Sequence, residues 1–146
     1  MSLERFREAQ DEDGTWLRAL AELKAGEKRS HWMWFVFPQL AGLGQSPTAR
    51  FYAIADLTEA RAYLADPVLR ERLVAAVRAA LAWAGRRSLE AIFGGIDALK
   101  FVSSLTLFEH ASQGSDRESF AAALDGLAAG RRDSRTLDLL GIISPS

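Results

Sequence analysis

The chain has 146 residues, 49% of them hydrophobic and 25% charged, and its 18 Lys and Arg against 19 Asp and Glu leave a formal net charge of −1. That balance builds one substantial core and lacks the strong positive field that broad nucleic-acid or anionic-membrane binding requires. With no cysteine, disulfide frameworks, thiolate metal sites and a cysteine nucleophile are excluded.

Ala, Leu, Arg and Glu dominate, and these residues lose little side-chain freedom in a helix. The expectation is an all-α fold: a compact, single-domain helical bundle over residues 1–146. Ser2 is placed to cap a first helix through Gln10. Gly14 opens a second, with Trp16, Leu17, Leu20 and Leu23 at helical spacing before Gly26 stops it. Residues 40 to 50 carry two glycines and Pro47 and read as a shaped loop, either a plain connector or a segment that offers backbone amides and Ser46 to a ligand. Asp56 begins a short helix through Leu64. Asp66-Pro67 starts one whose stripe is Leu69, Leu73, Ala76, Val77, Ala80 and Ala84, ended by Gly85. Ser88 caps a short piece to Phe93, Gly94-Gly95 breaks it, and a longer helix runs from Ile96 to about Ser112. A last pair lies near 117–128 and 133–140. No apolar stretch approaches the roughly 18 residues of a membrane span, and the start Met1-Ser2-Leu3-Glu4-Arg5 has no apolar signal core. A cytoplasmic protein without membrane contact is therefore expected, its oligomeric state unassigned.

The run His31-Trp32-Met33-Trp34-Phe35-Val36-Phe37 before Pro38 is the densest aromatic stretch. On a helix its rings point in all directions, and on a strand they alternate between two faces, so either geometry demands burial on every side. Four such rings cover on the order of 600 to 1,000 Å², and the segment is predicted to lie at the centre of the core. Lys28, Arg29, Ser30 and His31 lead into it. Cations and an imidazole beside flat indole faces (Trp32, Trp34) suit an anionic group attached to a planar ring, as in a nucleotide. Gln39, past Pro38, can add amide donors and acceptors at the same rim or brace the loop.

On the helix from Ile96, rotation of 100° per residue gathers Asp97, Lys100 and Ser104 into one stripe. Leu99, Phe101, Val102, Leu105, Leu107 and Phe108 take the rest of the circumference, so the stripe is predicted to be partly buried. A buried ammonium or carboxylate costs several kcal/mol unless paired. Asp97 and Lys100 therefore either pair with each other or are completed by a ligand. In an enzyme, Asp97 or His31 would accept a proton, Lys100 would stabilise negative charge and Ser104 would be the candidate nucleophile. His110, near the end of this helix, is read as complementing its dipole. Glu22, with Glu4, Glu8, Glu12, Glu71 and Glu118, is read as solvated helix surface, and Arg86-Arg87 and Arg131-Arg132 as surface charge. No Gly-x-Gly-x-x-Gly, Gly-x4-Gly-Lys-Ser/Thr or His-Glu-x-x-His motif occurs, and two histidines without cysteine leave no metal or cofactor expected.

Much of the chain also resembles one family. Arg5-Phe6, Ala9-Gln10, the stretch Gly26-Glu27-Lys28-Arg29-Ser30-His31-Trp32-Met33-Trp34, Phe37-Pro38-Gln39 and Gly42-Leu43-Gly44 with Ser46 carry the likeness. Glu59-Ala60, Tyr63-Leu64, Pro67, Leu69, Arg72-Leu73, Phe93-Gly94, Asp97, Lys100, Ser103-Ser104 and Thr106-Leu107-Phe108 continue it. Together they are similar to the domain of unknown function 1810 family, some members of which bear a calpastatin label. Leu105 departs from the family pattern, where methionine is common, and bears only on local packing. The resemblance implies a compact, mainly helical domain and no established reaction. The calpastatin label implies a largely disordered, polar chain, which this composition is not. Two functions are carried forward: a pocket for a small anionic, nucleotide-like ligand, as in a hydrolase or transferase, and a non-catalytic protein-interaction module.

Overall fold

A computed structural model describes residues 2–142. The chain is all-α: α1 (Glu4–Asp11), a 3-10 turn (Glu12–Gly14), α2 (Thr15–Ala25), α3 (Met33–Val36), α4 (Pro47–Phe51), α5 (Leu57–Ala65), α6 (Pro67–Leu81), α7 (Leu89–Phe93), α8 (Gly95–Ala111), α9 (Gly114–Leu127) and α10 (Ser134–Leu140). No strand occurs among the described residues beyond one isolated bridge, where Ile54 N donates to Gln39 O and Ala41 N to Ile54 O, both at 2.8 Å.

Local chemistry sets most boundaries. Asp66 accepts from Val68 N and Leu69 N with Pro67 in the first turn of α6, while Ser88, Asp56 and Asp133 cap α7, α5 and α10 through the amide three residues on. α6 ends at Leu81, short of the expected Gly85, because residues 82–87 tighten into turns whose amides bond back to Arg78, Ala80, Leu81 and Trp83. Within the expected loop, Ser46 Oγ accepts from Ala49 N at 3.1 Å and starts α4, a five-residue helix that composition did not reveal.

α8 is the central helix, packed against α5, α7, α9 and α10, while α6 joins α2, α5 and α9. The aromatic run folds as predicted into the middle of this assembly. Met33–Val36 make one helical turn, and Trp32, Met33, Val36 and Phe37 are buried. Phe37 meets Phe101 edge-on at 5.1 Å and Trp32 meets Phe93 at 6.5 Å, and a second aromatic series runs Phe6–Tyr63–Phe108–Phe120 at 5.2, 5.2 and 6.1 Å. Such offset and edge-on pairs add about 0.5–1.5 kcal/mol each beyond the area they cover.

Two buried polar side chains stitch α1 to this core. Gln10 Nε2 donates to Phe35 O at 2.7 Å while its Oε1 accepts from Arg72 at 3.1 Å, and Arg5 donates to Phe51 O (2.8 Å) and Ala53 O (2.9 Å) and pairs with Glu59 at 3.2 Å. Because their partners include carbonyls of the short helices α3 and α4 and of Ala53 just past α4, these residues hold pieces of chain too short for helix propensity to place.

Candidate functional site

The site starts at the end of α2. Gly26 adopts φ +75°, which glycine tolerates, and a Cβ there would stand 2.7 Å from the Trp83 ring. The reversal brings residues 27–32 back alongside α2, where Glu22 holds them. Its carboxylate accepts from Arg29 N (2.7 Å), Ser30 N (3.0 Å), Ser30 Oγ (2.6 Å) and Trp32 Nε1 (2.9 Å). Burial alone would raise its pKa, but these bonds, Ser30 foremost, outweigh it and hold the carboxyl below its ordinary value. Glu22 is thus no solvated surface residue, which corrects the sequence reading. Its partners are loop amides delivered by the chain reversal, so helical spacing gave no signal; the Gly26 stop followed by unpaired loop amides was the available clue.

The strap Glu22 holds presents Lys28 to the start of α8. Lys28 N donates to Ile92 O (2.7 Å), and its Nζ donates to Ser30 O (2.6 Å), pairs with Asp97 Oδ2 at 3.0 Å and stands over the Trp32 ring at 5.1 Å. Lys100 Nζ lies 3.7 Å from Asp97 Oδ1 and 5.1 Å over the Trp34 ring. Asp97 and Lys100 therefore do meet, yet the nearer partner of Asp97 is Lys28. One carboxylate between two ammonium groups leaves net positive charge, and Lys100, with the single longer contact and 24% of its side chain exposed, is the freer cation.

This cluster borders a cleft of about 390 Å³ lined by Lys28, His31, Met33, Trp34, Phe93 and the turn Gly94-Gly95-Ile96-Asp97. Gly94 takes φ +84°, ψ 164°, a region essentially reserved for glycine. Gly95 is different: its φ is unexceptional and a Cβ on it would meet nothing within 4 Å, so the fold does not require glycine there. No side chain caps α8, and its first amides therefore face the cleft end of the helix dipole without a side-chain acceptor. Among the described residues no group of three or more His, Cys, Asp or Glu could hold a metal.

The other sequence candidates fall elsewhere. His31 is exposed on the cleft rim and Trp34 half-buried in its wall, but Trp32 is fully buried, its indole N–H spent on Glu22. Arg29 is 73% exposed and turned to Glu27. Gln39 contributes its backbone carbonyl to the Leu40–Ile54 bridge, and Ser46 caps α4 at the surface. Ser104 lies fully buried, its Oγ without a partner among the described residues and outside the cleft lining; of the stripe, Asp97 lines the cleft, Lys100 stands behind that lining through its contacts with Asp97 and Trp34, and Ser104 stays in the core. Ser103 and Thr106 bond back to Leu99 O and Val102 O, and His110 Nδ1 donates to Thr106 O at 3.0 Å, one turn back on its helix. Leu99, with Ile96 before it, corrects the expectation that the apolar residues of α8 leave it little solvent face: they are 66% and 75% exposed. Arg132 corrects another, since it grips Glu109 and Asp125 instead of water.

The description "Protein of unknown function (DUF1810)" belongs to a family whose model matches residues 1–140. The crystal structure of the conserved hypothetical protein Rv1873 from Mycobacterium tuberculosis is similar at 44% identity, with a TM-score of 0.89 over 97% of each chain. No curated protein matches the chain.

Proposed function

The chain belongs to the DUF1810 family, and from that premise we propose that the cleft between the Glu22-held strap and α8 binds a small anion carrying a planar group, with a nucleotide derivative as the ligand class. The observation that carries this reading is the uncapped start of α8, where Gly95 leaves open space beside a cluster with one more ammonium than carboxylate. A helix N-terminus attracts negative charge, and a nearby unsaturated ammonium adds to that field. Trp34 supplies an apolar face for the planar group, and the cleft volume falls within the range of small-ligand sites. If chemistry follows binding, it is hydrolysis or group transfer: His31 or Asp97 takes the proton and Lys100 stabilises the developing negative charge. The nucleophile would then be water, because Ser104 Oγ does not border the cleft.

One observation favours a second reading, a protein-interaction module. Ile96 and Leu99 form an exposed apolar lip one helical turn long beside the cleft. On this reading the lip, with no bound small molecule, receives a partner.

A thermal-shift series separates the two. Adenosine and guanosine nucleotides, a dinucleotide, ribose phosphate and inorganic phosphate are titrated against the protein and its Lys100→Met variant. A ligand at 100 times its Kd stabilises by about 2.7 kcal/mol, a rise of about 5–10 °C in Tm for a chain of this size, and the variant loses most of it. No response across the series contradicts the ligand reading and leaves the apolar lip as the functional surface.

A further inference from the structure

The face formed by α2 and α6 lies apart from the cleft, and it bears a groove that the cleft's function does not use. Two hollows of about 420 and 440 Å³ share Leu20 and Ala75 and so form one continuous channel between the helices. Its floor is made of small side chains, Ala75 and Ala79 on α6 and Ala82 just past its end, spaced four and three residues apart, so that another backbone can come close. Its length from Val68 to Ala79 is about 16 Å at 1.5 Å per residue, three turns of a helix. Trp16 lines one end and Trp83 the other, and Leu17 beside the channel is 69% exposed.

Charge is distributed unevenly along it. Lys24, Arg78 and Arg86 surround the Trp83 end, Arg86 stacked 4.8 Å over the indole, and none of the three has an ion-pair partner among the described residues. At the other end Glu71 is exposed, and Arg72 is already paired with Asp11 at 2.8 Å. The chain as a whole is slightly acidic, so three unpaired cations around an apolar floor are a local feature and not a by-product of composition.

We propose that this groove docks an amphipathic helix of a partner protein, its apolar face laid on the alanine floor and acidic side chains at one end meeting Lys24, Arg78 and Arg86. Helix-in-groove recognition needs this shape: an apolar trough three turns long, read at i, i+3 or i+4 and i+7 and flanked by charge that sets direction. A nucleic acid would meet the cations but waste the apolar floor.

The test uses the whole chain labelled with ¹⁵N and a designed 18-residue helical peptide with Leu and Ala on one face and Glu clustered at one end, beside the same peptide with Lys for Glu. The acidic peptide is expected to bind saturably and to move the indole N–H resonance of Trp83 while that of buried Trp32 stays in place; the Lys peptide binds at least tenfold more weakly. In the double variant Lys24→Glu, Arg78→Glu, both exposed positions, affinity for the acidic peptide drops tenfold or more, while the urea midpoint falls only slightly, since each new carboxylate sits in the last turn of its helix. Equal binding of the two peptides, equal binding to the double variant, shifts confined to the α8 cleft, or tighter binding of dodecanoate or a single-stranded oligonucleotide than of the acidic peptide each overturns the proposal. Binding of anions in the α8 cleft is read separately through Lys100→Met, so either proposal can fail alone.

Discussion

The two ends of α8 carry charged clusters built in opposite ways. At the C-terminal end one guanidinium meets two carboxylates. Arg132 Nε and Nη2 donate to the two oxygens of Glu109 at 2.9 and 2.7 Å, and Nη1 donates to Asp125 at 3.0 Å and to Gly130 O at 3.0 Å. The hydrogen bonds it donates to Glu109 push the pKa of Arg132 still further above its ordinary value. Glu109 O accepts from Arg117 Nε, and Thr106 Oγ1 accepts the amide of Asp133, so the surrounding polar groups are also engaged. At the N-terminal end two ammonium groups share one carboxylate at 3.0 and 3.7 Å, no side chain caps the helix, and an open cleft adjoins. A fork-shaped cation with every bond directed fastens α8 to α9 and the 128–133 turn. Point charges with spare capacity beside free amides hold less and leave something to offer.

The largest expected effect breaks the closed end. Arg132→Met leaves Glu109, a mostly buried carboxylate, without its main partner and is expected to cost about 2–4 kcal/mol, read as a lower urea midpoint with unchanged slope. Anion binding at the far end of the helix should persist in the folded fraction.

Next comes the strap that serves the open end. Glu22→Gln keeps the shape but removes the charge that four donors share, at an expected cost of about 1.5–3 kcal/mol. Because the folded pKa of Glu22 lies below its unfolded value, its contribution is complete above that ordinary value of 4.5 and is lost as pH falls through the lower folded value. Urea unfolding between neutral pH and pH 3 should therefore show the gap between wild type and Glu22→Gln shrinking below about 4.5. A constant gap would assign the loss to packing.

How these features stood in the sequence follows the same division. Caps at Asp66, Ser88 and Asp133 were readable because their partners lie two or three residues away, and the aromatic run was readable as central because so much ring area admits no other place. Helical rotation also brought Asp97 and Lys100 together correctly. It could not show that Lys28, sixty-nine positions before Asp97, is the nearer partner, nor that Glu22 holds the strap, since both depend on where Gly26 sends the chain. The exposure of Ile96 and Leu99 was hidden for a related reason. Hydrophobicity along α8 shows apolar residues over most of the circumference beside the polar stripe, and only the arrangement of its neighbours decides which turn is left bare. Arg132 was taken for surface because its acceptors, Glu109 and Asp125, sit on two other helices.

Smaller stability effects sharpen the contrast at the open end. Lys100→Met removes a single 3.7 Å contact and is expected to cost about 1 kcal/mol or less, while Asp97→Asn takes the carboxylate from the mostly buried Lys28 ammonium and is expected to cost about 1–2 kcal/mol, but they should move ligand affinity in opposite directions. Removing the carboxylate raises affinity for a nucleotide or inorganic phosphate several-fold, and removing the ammonium lowers it about tenfold. Titration calorimetry on the two variants checks this pairing, and equal changes of one sign would make the cluster a purely structural ion pair.

The most direct measurement is a ¹⁵N chemical-shift titration of the intact protein with adenosine monophosphate and inorganic phosphate, following the amides of Gly95, Ile96 and Asp97. The account expects saturable shifts concentrated at these three residues and at the Trp34 indole, weakened about tenfold by Lys100→Met. Amides at the start of α8 that stay still while resonances elsewhere move, or no movement at millimolar ligand, would contradict it.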